Sequence, residues 1–186
     1  MSTIGVILAA GGGTRYVGPT HKLLARFQGG TVIGLVINAL MVAGLDEVAI
    51  VTGAVDLGSE IPSGLQVIEN EDWANGQATS LAHAVDFAER RGHGAVVIGL
   101  GDQPLVPSSA WQAVASCTLS PIVTASFGGQ RRPPVRLDAE VWPLLPRIGD
   151  EGARGVMATH PEFVTVIACE GGALDIDTVE DLQTPN

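Results

Sequence analysis

Short apolar runs alternate with stretches of helical period along most of the chain. Thr3-Ile4-Gly5-Val6-Ile7-Leu8 is apolar and β-branched throughout, the pattern of a strand buried on both faces. Residues 47–53, 65–68, 95–99, 121–126 and 163–168 repeat that pattern. Thr31 is placed to cap a helix over 31–43, closed by Gly44. Thr79 or Ser80 opens a helix over 81–91 with Arg90 and Arg91 at its dipole-negative end, and Ser108 caps one to about Cys117. Residues 138–145 and 150–159 read as helices, each with an aspartate at its start. Thr178 opens a short last helix whose Asp181 completes a variant capping box. The stretch 128–134 reads as an exposed loop, because Pro133-Pro134 cannot sit inside a central strand. Strand and helix in alternation predict an α/β fold: a three-layer sandwich with a mostly parallel, twisted sheet and a ligand cleft at its carboxyl edge. No repeat or linker is visible, so residues 1–186 are expected to form one domain.

Charge narrows the partners. The net charge is −10, with only 10 Lys and Arg among 186 residues, which leaves too few cations for a nucleic-acid face. Cys117 and Cys169 form no Cys-x-x-Cys pair, so neither zinc nor a redox motif is indicated. The chain opens directly on a strand with no basic leader pattern, and no apolar run reaches the length of a membrane span. The expected setting is the cytoplasm, without membrane or nucleic-acid partners. His21, His83, His93 and His160 share no ligand spacing, so surface or cap roles account for them, with His21 beside Lys22 also placed to touch phosphate; no Ser-His-Asp or Cys-His pattern points to covalent catalysis.

The chemistry gathers at four places. After the first strand comes Ala9-Ala10-Gly11-Gly12-Gly13-Thr14-Arg15, with Lys22 seven residues on. Three glycines let backbone N–H groups close around an anion, while Arg15 and Lys22 supply a planar fork and a mobile point charge suited to a polyphosphate. A dinucleotide fingerprint fails at Tyr16, and a P-loop fails at Gly18-Pro19. A plain turn with both cations solvated also fits the glycines. The second place is Gly101-Asp102-Gln103-Pro104, directly after the 95–99 strand. Asp102 there is either a Mg²⁺ ligand or a turn aspartate bonded to its own backbone. Asp175 and Asp177, on one side of an extended segment, form the third place; they are further metal ligands or acids loading a helix N-terminus. At the fourth, residues 69–81, Gly76 permits close approach, and Asn70 and Ser80 offer hydrogen bonds to a base edge. Trp73 is a stacking platform or a loop anchor. Arg154 meets an anionic acceptor or pairs with Asp150. An acidic protein handling a nucleotide needs positive charge concentrated locally or borrowed from a metal, so Mg²⁺ is the expected cofactor.

Leu8-Ala9-Ala10-Gly11-x-Gly13-Thr14-Arg15 with Lys22-Leu23-Leu24 resembles the signature loop of the MobA-like nucleotidyltransferases, a family with the Rossmann-like nucleotide-diphosphate-sugar transferase fold. Gly101-Asp102-x-Pro104-Leu105 resembles its metal-binding Asp-x-Pro, and Asp175-x-Asp177-Thr178-Val179-Glu180-Asp181-Leu182 its terminal acidic motif, with Val179 where proline is usual. The Leu-Ala-Ala-Gly form, the 69–81 patch and Gly149-Asp150-x-Gly152-Ala153-Arg154 are similar to the molybdenum-cofactor cytidylyltransferase branch. Arg132-Pro133-Pro134-Val135-Arg136 departs from that branch's Gly-His-Pro-Val-Leu, in the loop that would line the acceptor half of the cleft.

The resemblance implies transfer of a nucleotidyl group from an NTP, CTP favoured and GTP possible, to a phosphate-bearing acceptor such as molybdopterin, releasing pyrophosphate. Ala9, Ala10, Gly11, Gly12, Gly13 and Thr14 would cradle the phosphates, with Arg15 and Lys22 on the leaving group. Asn70, Gly76 and Ser80 would meet base and ribose, and Asp102 with Asp177 would hold Mg²⁺, Asp175 being the other candidate. A molybdoenzyme or chaperone would be the protein partner. A same-fold transferase for another phosphorylated acceptor, or a non-catalytic carrier of nucleotide or cofactor, remains as an alternative.

Overall fold

A computed structural model of the chain describes residues 2–183. Its strands are β1 (Thr3–Leu8), β2 (Arg26–Phe27), β3 (Gly30–Thr31), β4 (Glu47–Thr52), β5 (Gln66–Glu69), β6 (Ala95–Leu100), β7 (Ile122–Phe127), β8 (Gln130–Asp138) and β9 (Val164–Ala168). The helices are α1 (Val32–Met41), α2 (Gln77–Arg90), α3 (Ser108–Ser116) and α4 (Arg154–Thr159). Seven strands form one sheet in the order β5-β4-β1-β6-β8-β7-β9; β2 and β3 make a separate small hairpin. Every neighbouring pair in the large sheet is parallel except the two that involve β8. The expected mostly parallel α/β sheet is what forms.

Side-chain alternation along the strands builds the two interior layers. Ile4, Val6 and Leu8 point to one face, where they pack with Leu81, Ala84, Val85 and Ala88 of α2 and Val156 of α4. Ile7 points to the other, against Ile33, Val36, Ile37 and Leu40 of α1 and Trp111 and Val114 of α3. Trp111 seats directly on β6, where a Cβ on Gly99 would lie 2.3 Å from the indole. Thr31 caps α1 as its sequence suggests, accepting the Gly34 N–H at 3.1 Å.

Five expectations need correction. Residues 130–134 are not a loop: they belong to β8, joined to β7 through Gly128 and Gly129 at φ +56° and +84°, the two positive values a tight hairpin turn requires. Pro133 and Pro134 fit because Thr124 pairs with Val135 and Ala125 with Arg132, which leaves the prolines in a bulge. On the other side β6 pairs only as far as Ile98 with Val135, so neither missing N–H is needed. Helix α2 starts at Gln77 behind Gly76, four residues before the expected start, and Thr79 and Ser80 lie buried inside its first turn. Residues 139–144 form a 3₁₀ stretch that contains Pro143, since Asp138 is still paired with Ala95 in the sheet. The helices expected over 150–159 and from Thr178 shrink to α4 and to a 3₁₀ turn at Glu180–Gln183.

Candidate active site

The first loop leaves β1 at the sheet's carboxyl edge and is pinned on both sides. Ala9 N–H donates to the Val51 carbonyl at 2.9 Å, Ala54 N–H to Ala10 at 3.0 Å, and Gly101 N–H to Leu8 at 2.9 Å. Among the described residues, the N–H groups of Gly11, Gly12, Gly13, Thr14 and Arg15 donate to no other group. They line the cleft as unspent donors. His21 braces this loop from below. Its Nδ1 accepts the Leu23 N–H at 3.3 Å, so Nε2 carries the proton and donates to the Gly11 carbonyl at 3.2 Å. Burial lowers the His21 pKa, helped by the Lys22 charge and opposed by the carbonyls of Gly11 and Gly12. Trp73 supports the loop from the other side, its ring 3.1 Å from where a Gly12 Cβ would stand. Trp73 thus anchors the loop while also lining the cleft.

Facing these amides is an ionic cluster. Lys22 Nζ lies 2.6 Å from Asp102 Oδ2 and 3.1 Å from Asp177 Oδ1, and Arg15 Nη1 lies 3.0 Å from Asp177 Oδ2. The Lys22 side chain is 12% exposed, that of Arg15 75%. Asp102 stands at the end of β6 and Asp177 on the segment docked beside it. Ile176 N–H donates to the Asp102 carbonyl at 2.9 Å, and buried Gln103 donates Nε2 to Asp175 at 2.8 Å. Asp181 accepts the N–H groups of Asp177 and Thr178 at 2.9 and 2.7 Å, which holds its own carboxyl below the usual range. That is half of the expected capping box. Thr178 Oγ1 donates to Asp181 at 3.0 Å instead of capping a backbone N–H.

Burial pushes the Asp102 carboxyl up, further than Lys22 pulls it down, and the charges of Asp175 and Asp177 add to the rise. Burial works to lower Lys22, but the charge and hydrogen bond of Asp102, with those of Asp177, outweigh it and raise the ammonium's pKa. Asp102 Oδ1 is buried without a hydrogen-bond partner. An orphaned carboxylate oxygen beside a second carboxylate suits a hard divalent cation. Among the described residues, no three acidic, His or Cys side chains are arranged to hold a metal by themselves. Asp102 and Asp177 could hold a divalent cation only if water or phosphate supplied the remaining oxygens, as suits Mg²⁺.

The two sets of groups face one cleft of about 890 Å³. Ala9, Ala10, Gly11, Gly12, Gly13, Thr14, Arg15, Lys22, Gly76, Ser80, Asp102, Asp175 and Asp177 all line it. Asn70 does not. It is 1% exposed, donates to Thr79 Oγ1 and Ser80 Oγ at 2.9 and 3.0 Å, and accepts the Asp72 N–H at 2.9 Å. Its amide staples the loop to α2 and has nothing left for a base. Gly76 lines the cleft, but its φ of +103° and a would-be Cβ 2.4 Å from the Gly149 carbonyl oxygen show what requires glycine there. The Gly149-Asp150 loop caps α2: Ala78 N–H donates to Gly149 O at 2.8 Å and Gln77 N–H to Asp150 Oδ1 at 3.3 Å.

The far wall carries Arg131, Arg132 and Arg154. Among the described residues none of them meets a carboxylate; the Arg132 guanidinium donates only to Gln130, at 3.5 Å. Arg154 therefore leaves Asp150 to the helix cap. Arg136 turns away from the cleft. Its side chain is buried on the α3 side, with Nη1 donating to the Ala115 carbonyl at 2.8 Å and Nε 2.8 Å from Asp138. Of the 10 Lys and Arg in the sequence, Arg15, Lys22, Arg131, Arg132 and Arg154 line this one cleft.

Residues 5–164 match the pattern of the MobA-like NTP transferase domain. The chain belongs to that family. It carries a MobA-like NTP transferase domain over most of its length. Bifunctional protein GlmU of Agrobacterium fabrum is 32% identical over 111 residues, covering 58% of this chain and 24% of GlmU. The chain thus spans about a quarter of that relative's length. Purine catabolism protein PucB of Bacillus subtilis is 28% identical over 96% of this chain and 93% of its own. Among solved structures, Rv0371c of Mycobacterium tuberculosis superposes with a TM-score of 0.85 at 27% identity, covering 97% of this chain and 94% of the other. A manganese complex of Rv0371c superposes at 0.78 and 26%, covering 97% and 96%. Among the described residues no helix is long and apolar enough to cross a membrane.

For this NTP transferase the sequence reading missed two residues that shape the site. Gln103 was one unremarkable letter inside Gly-Asp-x-Pro; only its burial against Asp175 reveals its work. His21, expected in a surface or cap role, does cap the 22–24 turn, but its bracing of the glycine loop went unread. Its position beside Lys22 was the one available signal.

Proposed function

We propose that this transferase moves a nucleoside monophosphate from an NTP to a phosphate-bearing small molecule, releasing pyrophosphate. The observation that carries the reading is the shared cleft: free glycine-loop amides on one side, Asp102 and Asp177 on the other, and Lys22 and Arg15 between them. The amides of Gly11, Gly12, Gly13 and Thr14 receive the β- and γ-phosphates. Lys22 and Arg15 hold the charge that grows on the leaving pyrophosphate, an electrostatic role that suits preorganised cations. Asp102 and Asp177 would hold Mg²⁺, which neutralises charge at the α-phosphate when bound. The manganese complex of Rv0371c supports a divalent cation as the cofactor. No protein group needs to take a proton, because an ionised phosphate is already a nucleophile; alignment does the rest.

Arg131, Arg132 and Arg154 make the opposite wall an anion site, which supports a phosphorylated acceptor over a neutral alcohol. The Leu-Ala-Ala-Gly loop and Gly149-Asp150-x-Gly152-Ala153-Arg154 favour CTP, with GTP second, and molybdopterin as that acceptor, in a cytoplasmic setting with a molybdoenzyme or chaperone receiving the product. The Arg132–Arg136 stretch, where the sequence departs from the cytidylyltransferase pattern, favours a second reading in which another phosphorylated compound takes that place. Pyrophosphate release with CTP, GTP, ATP and UTP, with and without molybdopterin and a set of sugar and alcohol phosphates, tests these together. Release dependent on one NTP and one phosphorylated acceptor is expected. Nucleotide binding with no release under any combination would make the protein a carrier and end the transfer reading.

A further inference from the structure

We propose that the Asp102–Asp177 pair is a divalent-cation site that opens only with nucleotide bound, because the Lys22 ammonium fills it in the free protein. The inference rests on the transfer reading above and adds an order of binding to it. Lys22 Nζ is within 3.1 Å of one oxygen from each carboxylate, so the gap between those oxygens is already taken. A cation that binds at about 2.0–2.1 Å from its oxygens cannot share that gap with an ammonium. The pair is also met by two cations, Lys22 between the carboxylates and Arg15 on the outer Asp177 oxygen, while Asp175 adds one more negative charge nearby. A dication entering between Asp102 and Asp177 must first displace the two ion pairs that Lys22 makes there. Asp102 Oδ1 alone is left without a partner, an oxygen held in reserve.

A triphosphate changes that balance. The free amides of the glycine loop direct it to the side of the cleft from which Arg15 and Lys22 both reach. Lys22 sits at the start of a 3₁₀ turn that fixes its backbone, while its four-carbon stem lets Nζ pivot without moving the chain. Once the two cations engage phosphate, the carboxylates are left with their full negative charge and an empty gap. Nucleotide and metal then bind with positive coupling, and the coupling is reciprocal.

Manganese binding followed by EPR, with no nucleotide present, tests this directly. The wild type, Lys22→Met, Lys22→Gln and the double variant Lys22→Met with Asp102→Asn are titrated, and folding is checked by circular dichroism. The wild type is expected to bind Mn²⁺ more weakly than about 1 mM, and both single variants about tenfold or more tightly than the wild type. The gain should vanish in the double variant. Equal affinity in the wild type and the folded Lys22 variants overturns the proposal. Should neither variant fold, submillimolar Mn²⁺ binding by the wild type overturns it and weak binding supports it. A wild type that binds Mn²⁺ tightly without nucleotide yet still releases pyrophosphate overturns the gate and keeps the transfer reading. No pyrophosphate release under any combination, with the Lys22 variants still gaining Mn²⁺, keeps the gate and removes the transfer.

Discussion

Replacing Gly76 with alanine puts a methyl group 2.4 Å from the carbonyl oxygen of Gly149 and 2.8 Å from Asp150 Oδ1. The backbone there also has φ +103° and ψ 166°, a region open almost only to glycine, where another residue costs about 1–3 kcal/mol. To relieve the contact the 149–150 loop must move off α2. That breaks the bonds from Ala78 N–H to Gly149 O and from Gly149 N–H to Asn75 O, each worth about 1 kcal/mol. The sum is about 3–5 kcal/mol, or a fall in Tm of roughly 6–20 °C for a chain of this size. Gly149→Ala is the control. Its φ is +95°, but a Cβ there meets nothing within 4 Å, so it should cost only the backbone part. Urea unfolding of both variants isolates the contact as their difference, about 2 kcal/mol. In transfer assays Gly76→Ala should raise KM for the acceptor more than for the NTP, since Arg154 rides on the displaced loop. Equal stabilities for the two variants would refute the steric argument.

Three further outcomes follow from the same geometry. Asn70→Ala removes a buried amide with three partners and should cost about 2–3 kcal/mol in chemical denaturation, with kcat changed far less than stability. Arg15→Ala or Lys22→Ala should each lower kcat by about 10²–10³, the size of one lost electrostatic contact in a transition state; activity within about tenfold of wild type in both would remove the cradle from the mechanism. Glu47 is held below its ordinary pKa by hydrogen bonds from Arg91, against the upward pull of burial, and by His93. A depressed carboxyl stabilises the fold above its unfolded pKa and loses that effect as pH falls through the folded value. Glu47→Gln should therefore lower Tm at pH 7 but not in acid well below the ordinary carboxyl value of 4.5, as thermal scans across pH will show.

What the sequence made legible was local. β1, β4 and β6 are continuous apolar runs, and the glycine loop and Asp102 directly follow two of them, so their meeting at one sheet edge follows from parallel pairing. What escaped was set by contacts distant in the chain. The cap of α2 comes from residues 149–150, some seventy positions away, so Thr79 and Ser80 drew the predicted start to themselves. Asn70 looked like a base reader because its burial under α2 is a tertiary fact. Arg136 looked like a cleft residue because the proline bulge, which restores the pairing that turns it inward, has no signature of its own. The Gly128-Gly129 pair between two β-rich runs was a hairpin signal, and the prolines after it masked it.

Pyrophosphate release by Asp102→Asn across a magnesium titration, beside the wild type, puts the shared cleft to its most direct trial. With the carboxylate facing the triphosphate, the variant should fold normally, bind NTP and lose its metal-dependent turnover. Unchanged magnesium dependence in the folded variant would mean that the end of β6 does not face the reacting phosphate.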